Sequence, residues 1–258
     1  MEQTKAEQSS LNRRLLNIVM MEKLSSIEYY LDESGPRQVL QSITIDIKKG
    51  EVWAITGNNT FELKLLLEIM GNIKPYKNGK CALLERGMFR RKRTALPQMF
   101  YFGDTDMVYR NMNVLEFLMF ATANKNFDVV SQQERIFEQL ITFGLGDISL
   151  TPIYTLPSVY RALILLLVGL YSSNQLIILN LPTLVYDDYL RPAFKKITEY
   201  MKSQEQTVVI STQDINFIEQ VCDHTAVLCN GRFSYSGTTN RIFGKTLILQ
   251  SYVNSQTH

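Results

Sequence analysis

Histidine is almost missing from this chain, with only His224 and His258 in 258 residues, so a metal or catalytic centre built on imidazole is not expected. Cysteine is scarce too. Cys81, Cys222 and Cys229 are too few and too scattered for a disulfide framework or a zinc site. Long apolar runs are also lacking. The most apolar stretch, Ala162–Tyr171, has ten residues, which suits a buried helix and falls short of the roughly 20 needed to span a bilayer. Neither sign of charge dominates: 27 Lys and Arg against 25 Asp and Glu leave a net charge of +2. The densest basic cluster, Arg90-Arg91-Lys92-Arg93, reads as a solvated hairpin or loop, so no nucleic-acid partner is expected. The start, Met-Glu-Gln-Thr-Lys-Ala-Glu, lacks the charged-then-apolar order of a signal peptide. No internal repeat and no low-complexity segment is present. These absences predict a cytosolic chain.

What is present is an ordinary globular composition, 45% hydrophobic and 20% charged, long enough for one large α/β domain or two small ones. Residues 1–20 read as a polar N-terminal extension with a small amphipathic piece at Leu11–Ile18. Over Val39–Ile47, apolar residues alternate at strand period, and Val52–Thr56 is a second strand. Gly57-Asn58-Asn59-Thr60 is turn chemistry, and Phe61–Met70 is a helical pattern closed by Gly71. Helices are predicted over Val114–Ala123, Gln132–Phe143 and 162–171. A strand (176–180), helix (190–202), strand (207–211), helix (214–221), strand (225–229) and a hairpin through Asn230-Gly231 complete the chain. Alternation of this kind predicts a largely parallel sheet with right-handed crossovers.

A strand running into a glycine turn and then a helix is the setting of a P-loop. Leu176-Ile-Ile-Leu-Asn180-Leu181-Pro182-Thr183 with Asp187 resembles the Walker B strand and D-loop of ABC-transporter ATPases, with Asn180 and Leu181 at the metal-orienting Asp and the general-base Glu. Gly50-Glu51-Val-Trp-Ala-Ile-Thr-Gly57 resembles that family's strand into the Walker A loop, G-x-x-x-x-G-K-[ST]. Gly57 and Asn59 fit; Glu62, Leu63 and Lys64 stand where the second glycine, the lysine and the hydroxyl would be. Glu62 puts a carboxylate where a triphosphate would sit, and Lys64 is one residue late, about 100° round the helix. Leu156-Pro157-Ser-Val-Tyr160-Arg161 lies 24 residues before Asn180, the spacing of the family's signature segment, but keeps only the leucine and the basic residue. Val208-Val-Ile-Ser211-Thr212-Gln213-Asp214 resembles the switch strand with Gln213 in place of histidine, and Asp214 is the cap of the next helix. Cys222–Gly237 is similar to the family's closing strand and hairpin. The resemblance covers about residues 20–245.

It implies an α/β, RecA-like P-loop core with the ABC nucleotide-binding-domain architecture, over residues 21–258, with a helical subdomain at about 104–165. Tyr30 or Tyr29 falls near the adenine-stacking aromatic, or simply on a strand edge. Asp104 falls at the family's Q-loop glutamine, as a metal ligand or a solvated loop carboxylate. Phe100, Tyr101, Phe102, Met107, Val108 and Tyr109 sit where the family docks its membrane subunit; they form that docking surface or pack the two lobes together.

The nucleotide-site remnants are thus Tyr30, Gly57, Asn59, Glu62, Lys64, Asp104, Asn180, Asp187 and Gln213, with Phe102, Met107, Val108 and Tyr109 for docking. Together these imply a catalytically degenerate subunit of an ABC transport complex, of export type, peripheral at the inner face of the membrane. Its partners would be an ABC permease, a competent ABC ATPase subunit, or a homo- or heterodimer. No cofactor is implied: ATP and magnesium return only in an alternative ATPase in which Lys64 and Asp104 replace the lost lysine and metal ligand. A soluble scaffold that dimerises through the old nucleotide face is the other alternative.

Overall fold

The computed structural model describes residues 20–31, 37–83, 86–87, 99–103, 111–123, 128–172 and 174–243. Leu11–Ile18 and Arg90–Arg93 lie outside them. Three short apolar runs form the centre: β3 (Val52–Gly57), β7 (Leu176–Asn180) and β8 (Thr207–Ser211). Every residue of β7 and β8 is buried, as in strands covered on both faces. With β6 (Met99–Phe102), β9 (His224–Cys229) and β10 (Arg232–Thr238) they make a six-stranded sheet in the order β10-β9-β3-β8-β7-β6. All neighbours in it are parallel except the β9–β10 hairpin.

Period-two alternation divides the core in two. Val52, Ala54, Ile177, Leu179, Val208 and Ile210 face one layer of helices. That layer holds α2 (Val114–Ala121), α3 (Val129–Thr142), α4 (Ser158–Tyr171), α5 (Arg191–Ser203) and α6 (Ile215–Val221). Trp53, Ile55, Leu176, Ile178 and Val209 face the other side, where α1 (Thr60–Met70) lies. A short helix, α7 (Thr239–Phe243), follows β10. Helix α1 is apolar nearly all round, with Leu63, Leu65, Leu66, Leu67, Ile69 and Met70 buried, because it is enclosed between two sheets.

The largely parallel sheet expected is the six-stranded one; a second, antiparallel sheet packs beside it. β1 (Met20–Leu31), β2 (Arg37–Lys48), β4 (Asn78–Leu83) and β5 (Arg86–Gly87) form an antiparallel sheet in the order β2-β1-β4-β5. Its β2 shows the alternation expected, with Val39, Ile43, Ile45 and Ile47 buried. β1 is interrupted by bulges, one with Ser26 at φ 51°, which breaks the period that would reveal a strand. Among the described residues no helix is long and apolar enough to cross a membrane.

Candidate functional site

The carboxyl ends of β3, β7 and β8 converge on the start of α1. Strand β3 ends at Gly57 and the helix begins at Thr60, with only Asn58 and Asn59 between them. The helix starts this early because Asn59 caps it. Asn59 Oδ1 accepts the N–H of Phe61 at 3.1 Å and of Glu62 at 3.3 Å. Asn59 Nδ2 donates to Glu62 Oε1 at 3.0 Å, and the other carboxylate oxygen accepts the N–H of Gly231 at 2.9 Å. Glu62 is only 9% exposed. Its carboxylate therefore engages Asn59 and the β9–β10 hairpin, while the helix N–H groups go to Asn59.

Gly57 is required by strand packing: a Cβ there would lie 2.3 Å from the Leu228 carbonyl oxygen on β9. Gln213 closes the loop from the other side, Nε2 donating to the Gly57 carbonyl at 2.8 Å. The structure thus brings Gly57, Asn59, Glu62 and Gln213 together.

Asn180, at the end of β7 and 1% exposed, is the polar hub beneath this loop. Its Nδ2 donates to the Lys64 carbonyl at 2.9 Å and to the Tyr101 hydroxyl at 2.8 Å, and its Oδ1 accepts from Ser211 Oγ at 3.1 Å. Two acceptors on one side and a donor on the other suit an amide. Burial raises the Tyr101 hydroxyl pKa, the bond from Asn180 lowers it, and the Glu68 carboxylate raises it again. The Tyr101 ring lies against Gly71, where a Cβ would come 2.5 Å from Cδ2. The parts played by Tyr101 and Gly231 are not visible in motif spacing; the Asn-x-x-Glu spacing at 59–62 is a local signal for the Asn59–Glu62 contact, which here runs side chain to side chain.

The other predicted positions fall around this centre. Leu63, at the lysine position, is fully buried against the antiparallel sheet, and the Lys64 side chain is exposed. Leu181, at the general-base position, is 7% exposed and part of the helical-side core. Asp187 is exposed and stabilises the turn into α5, Oδ1 accepting the Tyr189 N–H at 2.9 Å. Asp214 caps α6 as expected, accepting the Phe217 N–H at 2.9 Å, and also accepts the Tyr186 N–H at 3.2 Å. Pro157 is the N-cap of α4. Tyr30 is on β1, its hydroxyl donating to Glu28 at 3.3 Å and Lys77 Nζ lying 4.9 Å over its ring. His224 is a packing residue, stacked on Trp53 at 4.8 Å.

Phe102 is a correction. Expected on a docking surface, it is 4% exposed, because residues 99–102 form an edge strand beside β7 and Phe102 faces the helical-side core, edge-on to Phe100. Asp104, Met107, Val108 and Tyr109 lie outside the described residues.

As a donor set for a magnesium–nucleotide complex the described side chains do not fit. The α1 N–H groups of Phe61 and Glu62 already have an internal acceptor, Asn180 turns its NH2 toward Lys64, and its oxygen is engaged by Ser211. Among the described residues no three His, Cys, Asp or Glu side chains are grouped to hold a metal ion.

No protein-family model matches the chain. Its relatives include a protein of Listeria monocytogenes named as an ABC transporter ATP-binding protein, 25% identical over 215 residues, 80% of this chain and 79% of that one. The energy-coupling factor transporter ATP-binding protein EcfA2 of Methanospirillum hungatei is 25% identical over 86% of this chain and 56% of its own. The lantibiotic transport ATP-binding protein SrtF of Streptococcus pyogenes is 22% identical over 80% of this chain and 89% of its own. Among solved structures, cbiO1 of Clostridium perfringens, part of the ABC transporter complex cbiONQ, superposes with a TM-score of 0.74, 21% identity and coverage of 93% and 96% of the two chains. A nucleotide-free ATP-binding cassette from an ABC transporter superposes with a TM-score of 0.71 and 16% identity over 91% and 98%.

Proposed function

We propose that the chain, whose relatives are named as ABC-transporter ATP-binding proteins and whose fold matches such proteins, is a subunit of an ABC transport complex that no longer hydrolyses or binds ATP. The observation that carries this reading is the hydrogen bonding of Asn180. A metal-orienting carboxylate must present oxygen, and this side chain presents two N–H groups to the Lys64 carbonyl and the Tyr101 hydroxyl instead. Leu181 offers no lone pair where a general base would stand, and Gln213 cannot carry a charge where the family has histidine. Losing charge stabilisation and base together removes the terms on which phosphoryl transfer depends. What remains is the scaffold, whose place in such a complex is the cytoplasmic face of a membrane permease, alone or beside a competent ATPase subunit. The export-type assignment belongs to this proposal too, and rests on the form of the closing strands and the compact helical segment.

Affinity purification of the tagged chain from detergent-solubilised native membranes tests it. The expected result is a co-purifying polytopic permease, lost on substituting Met107 and Tyr109 by Ser while the circular dichroism spectrum stays unchanged. A chain recovered wholly from the soluble fraction, with no membrane subunit attached, would overturn the transport role.

A further inference from the structure

Glu62 ties together three parts of the molecule that are far apart in sequence. One carboxylate oxygen accepts Asn59 Nδ2 at the α1 N-terminus, and the other accepts the N–H of Gly231 at the tip of the β9–β10 hairpin. That tip is a two-residue turn with Asn230 at φ 49° and Gly231 at φ 74°, both left-handed, the combination a type I′ hairpin requires. The carbonyl of Gly231 then accepts the N–H of Gln41 on β2 at 2.7 Å, and Arg232 Nε donates to Gln41 Oε1 at 2.9 Å. A Cβ at residue 231 would come 2.1 Å from the Val39 carbonyl oxygen, so the turn is wedged between Glu62 and the antiparallel sheet.

The direction of each bond matters. Asn59 has one amide oxygen and one NH2, and the carboxylate of Glu62 holds the NH2. The oxygen is thereby aimed at the N–H groups of Phe61 and Glu62, the groups that an anion at a helix N-terminus would engage. A nearly buried carboxylate needs donors on both oxygens, and Asn59 and Gly231 supply them.

We infer that Glu62 is an internal tie that does the work of a bound anion. It orients Asn59 so that an amide oxygen, rather than a ligand, completes the α1 N-terminus, and it fixes that terminus to the hairpin and, through Gly231, to β2. The relative placement of the two sheets is then set without any ligand. This inference is independent of the transport role and stands or falls on local geometry. An ordinary capping interaction would act on α1 alone; a tie acts on α1, the hairpin and β2 at once.

Amide hydrogen exchange on the full chain separates the two, with wild type compared to Glu62→Ala and Glu62→Gln. For Glu62→Ala, exchange should accelerate together by about tenfold or more in segments 38–43, 59–64 and 226–234, with 162–170 and 176–180 unchanged. Glu62→Gln keeps the shape but can serve only one of the two donors as an acceptor, so it should give a smaller rise confined to one end of the tie. It also serves as the test should Glu62→Ala fail to fold. Acceleration in 59–64 alone would reduce Glu62 to a capping residue and overturn the inference. So would a uniform rise that includes 176–180, which would make Glu62 a contributor to global stability only.

Discussion

The side-chain amide of Asn180 donates to the backbone carbonyl of Lys64 at 2.9 Å, fixing the first turns of α1 to the end of β7. A carboxylate of the same shape would set oxygen against oxygen at that contact, since the Lys64 carbonyl can only accept. Asn180→Asp should therefore lower the unfolding free energy by about 3 kcal/mol, read from denaturant titration. The sign with pH follows. A carboxyl facing a carbonyl is favoured protonated, so its folded pKa is raised above the unfolded value. The loss should then grow as pH rises through the ordinary Asp range near 4, and shrink below it. An Asn180→Asp chain as stable at pH 7 as the wild type would refute the hydrogen-bond assignment.

Asn59 gives a sharper substitution test. Asp and Asn are equally good N-caps in isolation, and loss of the cap in Asn59→Ala should cost about 1 kcal/mol. Here Asn59→Asp should be at least as damaging as Asn59→Ala, because its second oxygen would face Glu62 Oε1, which now accepts Nδ2 at 3.0 Å. For a chain of this size the expected drop in Tm is about 2–4 °C for each kcal/mol, measurable by scanning calorimetry. Full retention of Tm in Asn59→Asp would show that the amide is not needed.

Alkaline pH should unfold the protein through buried hydroxyls and a buried thiol. Burial is the first cause that pushes Tyr101, Tyr171, Tyr186 and Cys222 above their ordinary ranges. The folded state then holds protons that the unfolded state releases, so stability is flat below the unfolded thiol and phenol values and falls as pH rises past about 9–10. Tyr186 stacks on Phe217 at 3.8 Å between rings and loses only its hydroxyl in Tyr186→Phe. That variant should keep its stability at pH 7 and decline less steeply above pH 10 in urea titrations; an unchanged alkaline slope would refute the assignment.

Much of this was legible in the sequence because the central strands are uniformly apolar. The bounds of β7 and β8 coincide with the runs 176–180 and 207–211, and Asp214 caps its helix where its spacing placed it. Of the antiparallel sheet only β2 was legible, since bulges in β1, the strand between β2 and β4, scramble the period-two alternation. At the site, the family pattern located Gly57, Asn59, Glu62, Asn180 and Gln213, all of which the fold brings to one end of the sheet. What Glu62 and Asn180 bind could not be read from spacing. Their partners, Gly231, Lys64 and Tyr101, are set by how α1 is clamped between the two sheets. Phe102 was misplaced for a similar reason: an aromatic triplet that reads as a sticky loop is a strand whose alternate residue turns into the core.

Isothermal titration of the purified chain with ATP and ADP, with and without magnesium and beside a matched hydrolysis assay, tests the central claim most directly. With the α1 terminus capped by Asn59 and the amide of Asn180 committed to Lys64, Tyr101 and Ser211, the account predicts no heat of binding up to millimolar nucleotide and no phosphate release. Micromolar, magnesium-dependent binding would contradict it and return nucleotide to the chain as a ligand or substrate.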